Sequence, residues 1–147
     1  MKKSLLVLVT AWILLGCQKD KENPEDSLDQ YATTYEVIQG TIWDQSCISC
    51  HYAGSSFARQ SNLVLTADVS YDQLVNRPPD NSSALEDGLI LVGDQGLESL
   101  YSSFLWEKIN VLDQEHFYSD HPGYGSLMPL GGDPLTNGQL EYIRQWI

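Results

Sequence analysis

Apolar residues open the chain as a block. Met1-Lys2-Lys3 is followed by a run from Leu5 to Gly16 that is broken only at Thr10. A charged start leading into such a run is the pattern of an export signal. As a helix at about 1.5 Å per residue the run would span roughly 18 Å, short of the ~30 Å hydrocarbon core of a bilayer. The pattern therefore predicts a signal peptide over residues 1–16 that is removed, rather than a membrane span. From Gln18 to Gln30 the pattern inverts, and Leu28 is the one large aliphatic residue among acidic, amide and lysine positions. Such a stretch cannot repay the entropy of ordering, so residues 17–32 are expected to form a solvated tether.

From residue 33 the spacing becomes helical. Thr33-Thr34-Tyr35-Glu36 has the capping-box pattern, and Tyr35, Ile38 and Ile42 follow at i, i+3, i+7, with Trp43 beside that stripe. At the far end Thr136 and Gln139 repeat the box, Leu135 and Leu140 occupy hydrophobic-staple positions, and Leu140, Ile143 and Ile147 form a second stripe flanked by Tyr142 and Trp146. Neither helix is long enough to be stable alone, so each must bury its stripe. Between them, Asp68 or Ser70 is expected to cap a short segment carrying Tyr71, Leu74 and Val75, which stops before Pro78-Pro79. Leu89-Ile90-Leu91-Val92 reads as extended chain laid on the core. Gly93-Asp94-Gln95-Gly96 turns the chain, and Leu97, Leu100, Tyr101, Phe104, Leu105 and Ile109 predict a helix to about Asn110. The domain over 33–147 is expected to be all-α with long loops.

Composition narrows what such a domain does. In 147 residues there are 20 acidic and 8 basic side chains, a formal charge of -12, and loss of Lys2 and Lys3 with the signal would make it -14. That field repels the phosphate backbone, so nucleic acid is excluded as a partner. No catalytic constellation is visible: Ser55 and Ser56 have no arranged base, and the carboxylates are scattered singly. We expect no enzyme activity from these residues alone.

The three cysteines carry the chemistry. Leu14-Leu15-Gly16-Cys17 resembles the lipobox of bacterial lipoproteins, which implies cleavage before Cys17, acylation of its thiol and attachment to a membrane through lipid. The flexible tether would hold the domain about 20 Å from that membrane. Gln18 after the cysteine resembles lipoproteins released to the outer membrane. The Lys19-Asp20 and Glu22 pattern resembles the surface-export signal of lipoproteins in one Gram-negative phylum. The expected location is the outer membrane, facing the periplasm or the cell surface.

The remaining two cysteines stand in Cys47-Ile48-Ser49-Cys50-His51. A C-x-x-C-H string reads as a site of covalent haem attachment, because two thiols a helical turn apart can each bond one vinyl group, with the adjacent histidine under the iron. The competing readings are a structural disulfide, a thioredoxin-like redox pair, and half of a zinc site. A zinc site would need a second cysteine pair or a spaced histidine pair; a redox pair would need an alternating α/β scaffold. Haem iron bound to one histidine leaves a sixth position. Once Met1 has left with the signal, Met128 is the only thioether, in the glycine-rich stretch 123–132 where a loop is expected. Met128 is thus the expected distal ligand, with core packing as the alternative. His116 and His121 are rival ligands, but their polar surroundings read as solvated loop positions.

Taken in order, Cys47-Ile48-Ser49-Cys50-His51, Asn62-Leu63-Val64-Leu65, Tyr71-Asp72-Gln73-Leu74-Val75, Val92-Gly93-Asp94 with Ser99-Leu100-Tyr101, Met128-Pro129 and Ile143-Arg144-Gln145-Trp146-Ile147 resemble monohaem cytochrome c domains. The likeness is above all to the planctomycete-type cytochrome c domains of exported bacterial proteins, and covers residues 33 to 147. It implies a cytochrome c-like fold with N- and C-terminal helices packed around one covalent haem c. It also implies thioether links at Cys47 and Cys50, and iron held by His51 and Met128. The chain departs from the family pattern in three places. Tyr52 stands where a glycine usually follows the histidine, and no proline follows His51 to offer its ring a carbonyl. The final helix reaches Ile147 without a glycine cap, where relatives run on; a boundary drawn at this point, or the haem domain of a longer protein, would explain that. The implied role is single-electron transfer to a redox partner protein with a basic docking patch. Two alternatives stay open: a haem-based gas sensor, and the N-terminal redox module of a larger exported oxidoreductase.

Overall fold

Both capping boxes form. In the computed structural model, which describes residues 33–147, Thr33 Oγ1 accepts from the Glu36 amide at 3.2 Å while the Glu36 carboxylate accepts from the Thr33 amide at 2.6 Å. This opens α1 (Thr34–Ile38). The expected signal peptide, Cys17 and the tether lie outside the described residues. At the other end Thr136 and Gln139 form the same reciprocal pair at the start of α8 (Asn137–Trp146). Leu135 and Leu140 are both buried beneath it, as the staple positions require.

Beyond Ile38 the helix widens. Residues Gln39–Cys47 continue α1 as a π-helix, with bonds reaching five residues back, as from the Ile48 amide to the Trp43 carbonyl at 3.0 Å. The wider turn shifts the apolar face. Trp43, expected beside the stripe, lies wholly inside the core with Ile38 and Ile42. Its indole N–H is the one buried side-chain polar atom among the described residues with no hydrogen-bond partner. Helix α1 packs on α8, where the Tyr35 and Trp146 rings meet at 5.0 Å.

The middle of the chain is a series of short helices: α2 (Ser56–Ser61), α3 (Ser70–Leu74), α4 (Ser82–Glu86), α5 (Leu97–Ser102), α6 (Phe104–Ile109) and α7 (Gln114–Asp120). Among the described residues there is no strand, and no helix is long and apolar enough to cross a membrane. The domain is all-α. Leu89–Val92 is non-helical, with single bridges at Ile90 and Val92 on either side of a bend at Leu91, and acts as a clasp. Its Val92 amide donates to Leu74 at 3.1 Å on one side, and its Ile90 carbonyl accepts from the Phe104 amide at 2.7 Å on the other.

That clasp breaks the single helix expected over 97–110. Ser103 adopts extended backbone (φ -90°, ψ 110°) to meet Ile90, and its buried hydroxyl donates to the Ser99 carbonyl at 2.5 Å and accepts from the Gly93 amide at 3.1 Å. The break buries Phe104 and Leu105 together and leaves Tyr101 79% exposed, so Tyr101 is not a core residue. Gly93 must be small here, because a Cβ would stand 2.7 Å from that of Ser99.

Ser70 differs from expectation too. The cap of α3 is Val69, without a side-chain bond, and Ser70 is buried one position inside the helix. Its hydroxyl is drawn into a polar chain: Tyr35 Oη donates to Ser70 Oγ, and Ser70 Oγ donates to Gln39 Oε1, each at 2.6 Å. Local capping loses to tertiary pairing, since a buried acceptor left unpaired costs about 1–3 kcal/mol.

Candidate functional site

Cys47, Cys50 and His51 share one turn. The Cys47 carbonyl accepts from the amides of both Cys50 (3.1 Å) and His51 (3.0 Å), closing the π-helix. The two cysteines are half-buried and unpaired, so no disulfide joins them. Burial, with a smaller contribution from the neighbouring Cys50, pushes the Cys47 thiol up to about 12. A protonated, sheltered Cys47 is the opposite of the activated thiolate that thiol redox exchange needs.

The ring of His51 is oriented from behind. Its Nδ1 lies 3.1 Å from the Leu63 carbonyl oxygen, and the Leu65 amide donates to the His51 carbonyl at 2.8 Å. The route from one to the other is built locally. Ser55 Oγ accepts from the Ala58 amide at 2.9 Å to start α2, and donates to the Cys50 carbonyl. Asn62 ends α2 in the left-handed conformation (φ 49°), which turns the chain back so that residues 63–65 run beside the histidine. The backbone carbonyl behind the ring thus comes from Leu63, twelve residues further along the chain. With Nδ1 committed, Nε2 is the free ligand atom.

Gln39 holds this return segment and was not singled out by pattern. Its buried amide donates to the Leu65 carbonyl at 2.9 Å and to Asp44 at 2.6 Å, while its oxygen accepts from Ser70. The available signal was a lone polar residue on the apolar face of α1.

Met128 sits in the expected loop and, like Cys47, packs half-buried against the central core. Lys108 contacts the loop at three points. The Lys108 carbonyl accepts from the Met128 amide at 2.7 Å, while its ammonium donates to the carbonyls of Tyr124 (2.9 Å) and Ser126. The ammonium also lies 5.7 Å from the Phe104 ring centre and 5.5 Å from that of Phe117. Burial lowers it to about 8. Tyr118 Oη, accepting from the Leu127 amide at 3.3 Å, steadies the same loop from α7.

The two rival histidines are placed differently from expectation. His116 is exposed but helical, on α7, and His121 follows that helix half-buried and stacked on Tyr124. Tyr124 itself packs in the core against Phe104 and Phe117.

The candidate donors are thus two unpaired thiols and one oriented imidazole on a single turn, and one thioether in a separate loop of an all-helical domain, which are donor types that could hold a covalently attached haem. No protein-family model matches the chain, and neither does any curated protein or solved structure.

Proposed function

We propose that this protein is an exported, membrane-tethered monohaem c-type cytochrome that carries single electrons. The observation that carries this reading is the turn Cys47–His51, in which both thiols are free and the His51 ring is fixed through Nδ1 with Nε2 left open. Cys47 and Cys50 would anchor the group, His51 would bind iron from one side and Met128 from the other. Haem with imidazole and thioether ligands supplies a one-electron couple at raised potential. The packing of α1 on α8, and the all-helical body between them, support a cytochrome c-like fold. The hydrogen bonds from Lys108 to the Met128 loop support a fixed Met128, which would fill the sixth position rather than leave it open to gases. The formal charge of -12 favours a basic redox partner and association that weakens with salt. Cys17 would supply the lipid anchor.

The test is expression alongside haem-attachment machinery. Haem that survives denaturation and organic extraction is the expected result, and a chain that gains none overturns the proposal. In the reduced protein, Met128→Ala should bind carbon monoxide readily while the parent does not. Equal binding by both removes Met128 from the iron and favours the gas-sensor alternative.

A further inference from the structure

A second cluster of metal-binding side chains lies away from the cysteine turn. Glu107 on α6, His116 on α7 and His121 just after it each offer a donor atom, and the three atoms lie within 4.8 Å of one another. The backbone makes this possible. The chain leaves helical geometry at His121 (φ -124°, ψ 53°) ahead of Pro122, while the His121 amide still donates to Phe117 at 3.1 Å. The His121 ring therefore turns back over the helix end, edge-to-face with His116 at 5.3 Å.

Both rings are held by neighbours outside the cluster. His121 stacks on Tyr124 with 4.4 Å between ring centres and 11° between planes. Tyr124 is buried, and its Oη donates to Asp87 at 2.8 Å. The Nδ1 of His116 lies 3.1 Å from Asp120 Oδ2, which leaves Nε2 as its free donor. A carboxylate behind an imidazole is the arrangement that orients metal-binding histidines and raises their basicity. Lys108, next to Glu107 in the chain, directs its ammonium to the Tyr124 and Ser126 carbonyls. Among the described residues no ion pair engages the Glu107 carboxylate.

We propose that Glu107, His116 and His121 form a Zn²⁺ site that fastens α6 to the end of α7. Two imidazole nitrogens with one carboxylate oxygen suit zinc, whereas calcium and magnesium favour oxygen donors alone. Zinc bonds of about 2.0–2.1 Å would bring tetrahedral donors to about 3.4 Å from one another. From 4.8 Å each donor atom would have to move by about 1 Å to reach this, and the exposed edge of His116 gives the ion a way in. Water would complete the tetrahedron. Because Tyr124 begins the loop that ends at Met128, the ion would brace that loop from outside. The cluster owes nothing to Cys47, Cys50 or His51, so it stands or falls apart from haem binding.

The test is titration of the full chain with Zn²⁺ against a chromophoric chelator, together with thermal unfolding. One saturable ion per chain and a raised unfolding temperature are expected, since an ion that binds only the folded state stabilises it. Asp120→Asn should weaken binding about 10-fold through loss of the orienting carboxylate. His116→Ala and His121→Ala should weaken it further and abolish the thermal shift. Absence of saturable binding overturns the proposal. So does unchanged affinity in the protein carrying both His116→Ala and His121→Ala, or a cobalt-loaded form with thiolate charge-transfer bands, which would put the ion at the cysteine pair.

Discussion

His51 and Leu63 face each other across the left-handed turn at Asn62, with the imidazole Nδ1 3.1 Å from the leucine carbonyl oxygen. A carbonyl can only accept, so the neutral ring must carry its proton on Nδ1. In haem-free protein, long-range proton–nitrogen correlation spectra should show the Nδ1–H tautomer. An Nε2–H pattern would mean that the ring is not oriented by this contact.

Gln39 extends the same device inward, joining Ser70, Asp44 and the Leu65 carbonyl. Gln39→Leu keeps the bulk but removes the acceptor of the buried Ser70 O–H and the side-chain donor to the Leu65 carbonyl. The expected loss of stability is about 1–3 kcal/mol by urea denaturation. An unchanged midpoint would show that the network contributes nothing net.

Cys47 should be slow to react before any group is attached. With its thiol pushed up to about 12, alkylation by iodoacetamide in haem-free protein should lag far behind a free cysteine at about pH 8.5. Its rate should keep rising with pH well after the free thiol has levelled off. Peptide mapping by mass spectrometry reads this directly, and rapid modification of Cys47 near neutrality would contradict its burial.

Lys108 predicts a pH dependence of defined sign. Its ordinary value of 10.5 falls to about 8 on burial. Between those limits the folded chain has released a Lys108 proton that the unfolded chain still holds, so the Lys108 contribution to stability rises with pH through that window, while the raised Cys47 thiol contributes in the opposite sense above its ordinary value of 9.0. Below about pH 8 both states are charged and the desolvation cost is present in full. Lys108→Met should flatten this slope, and it should also loosen residues 124–128 by removing two donated hydrogen bonds. Urea midpoints across the window, with hydrogen exchange at the Met128 amide, measure both effects.

What was legible in the chain was what depends on neighbours in sequence. Thr33 with Glu36, and Thr136 with Gln139, announce their helices because a capping box closes within four residues. The thiol spacing and the adjacent histidine are local in the same way, as is the loop character of the stretch that bears Met128. Contacts between distant residues could not be read so. The single helix expected over 97–110 is cut at Ser103 because Ile90, thirteen residues earlier, offers a better partner for its backbone. Ser70 abandons capping for Gln39, and the carbonyl behind His51 comes from Leu63, with no mark in the sequence. His116 and His121 read as solvated loop positions until folding brought Glu107 and Asp120 against them. The sequence by itself determined which donor groups exist and where helices begin. The tertiary structure decided which of those groups are oriented, because a ring or a carbonyl is fixed only by the partner that packs against it.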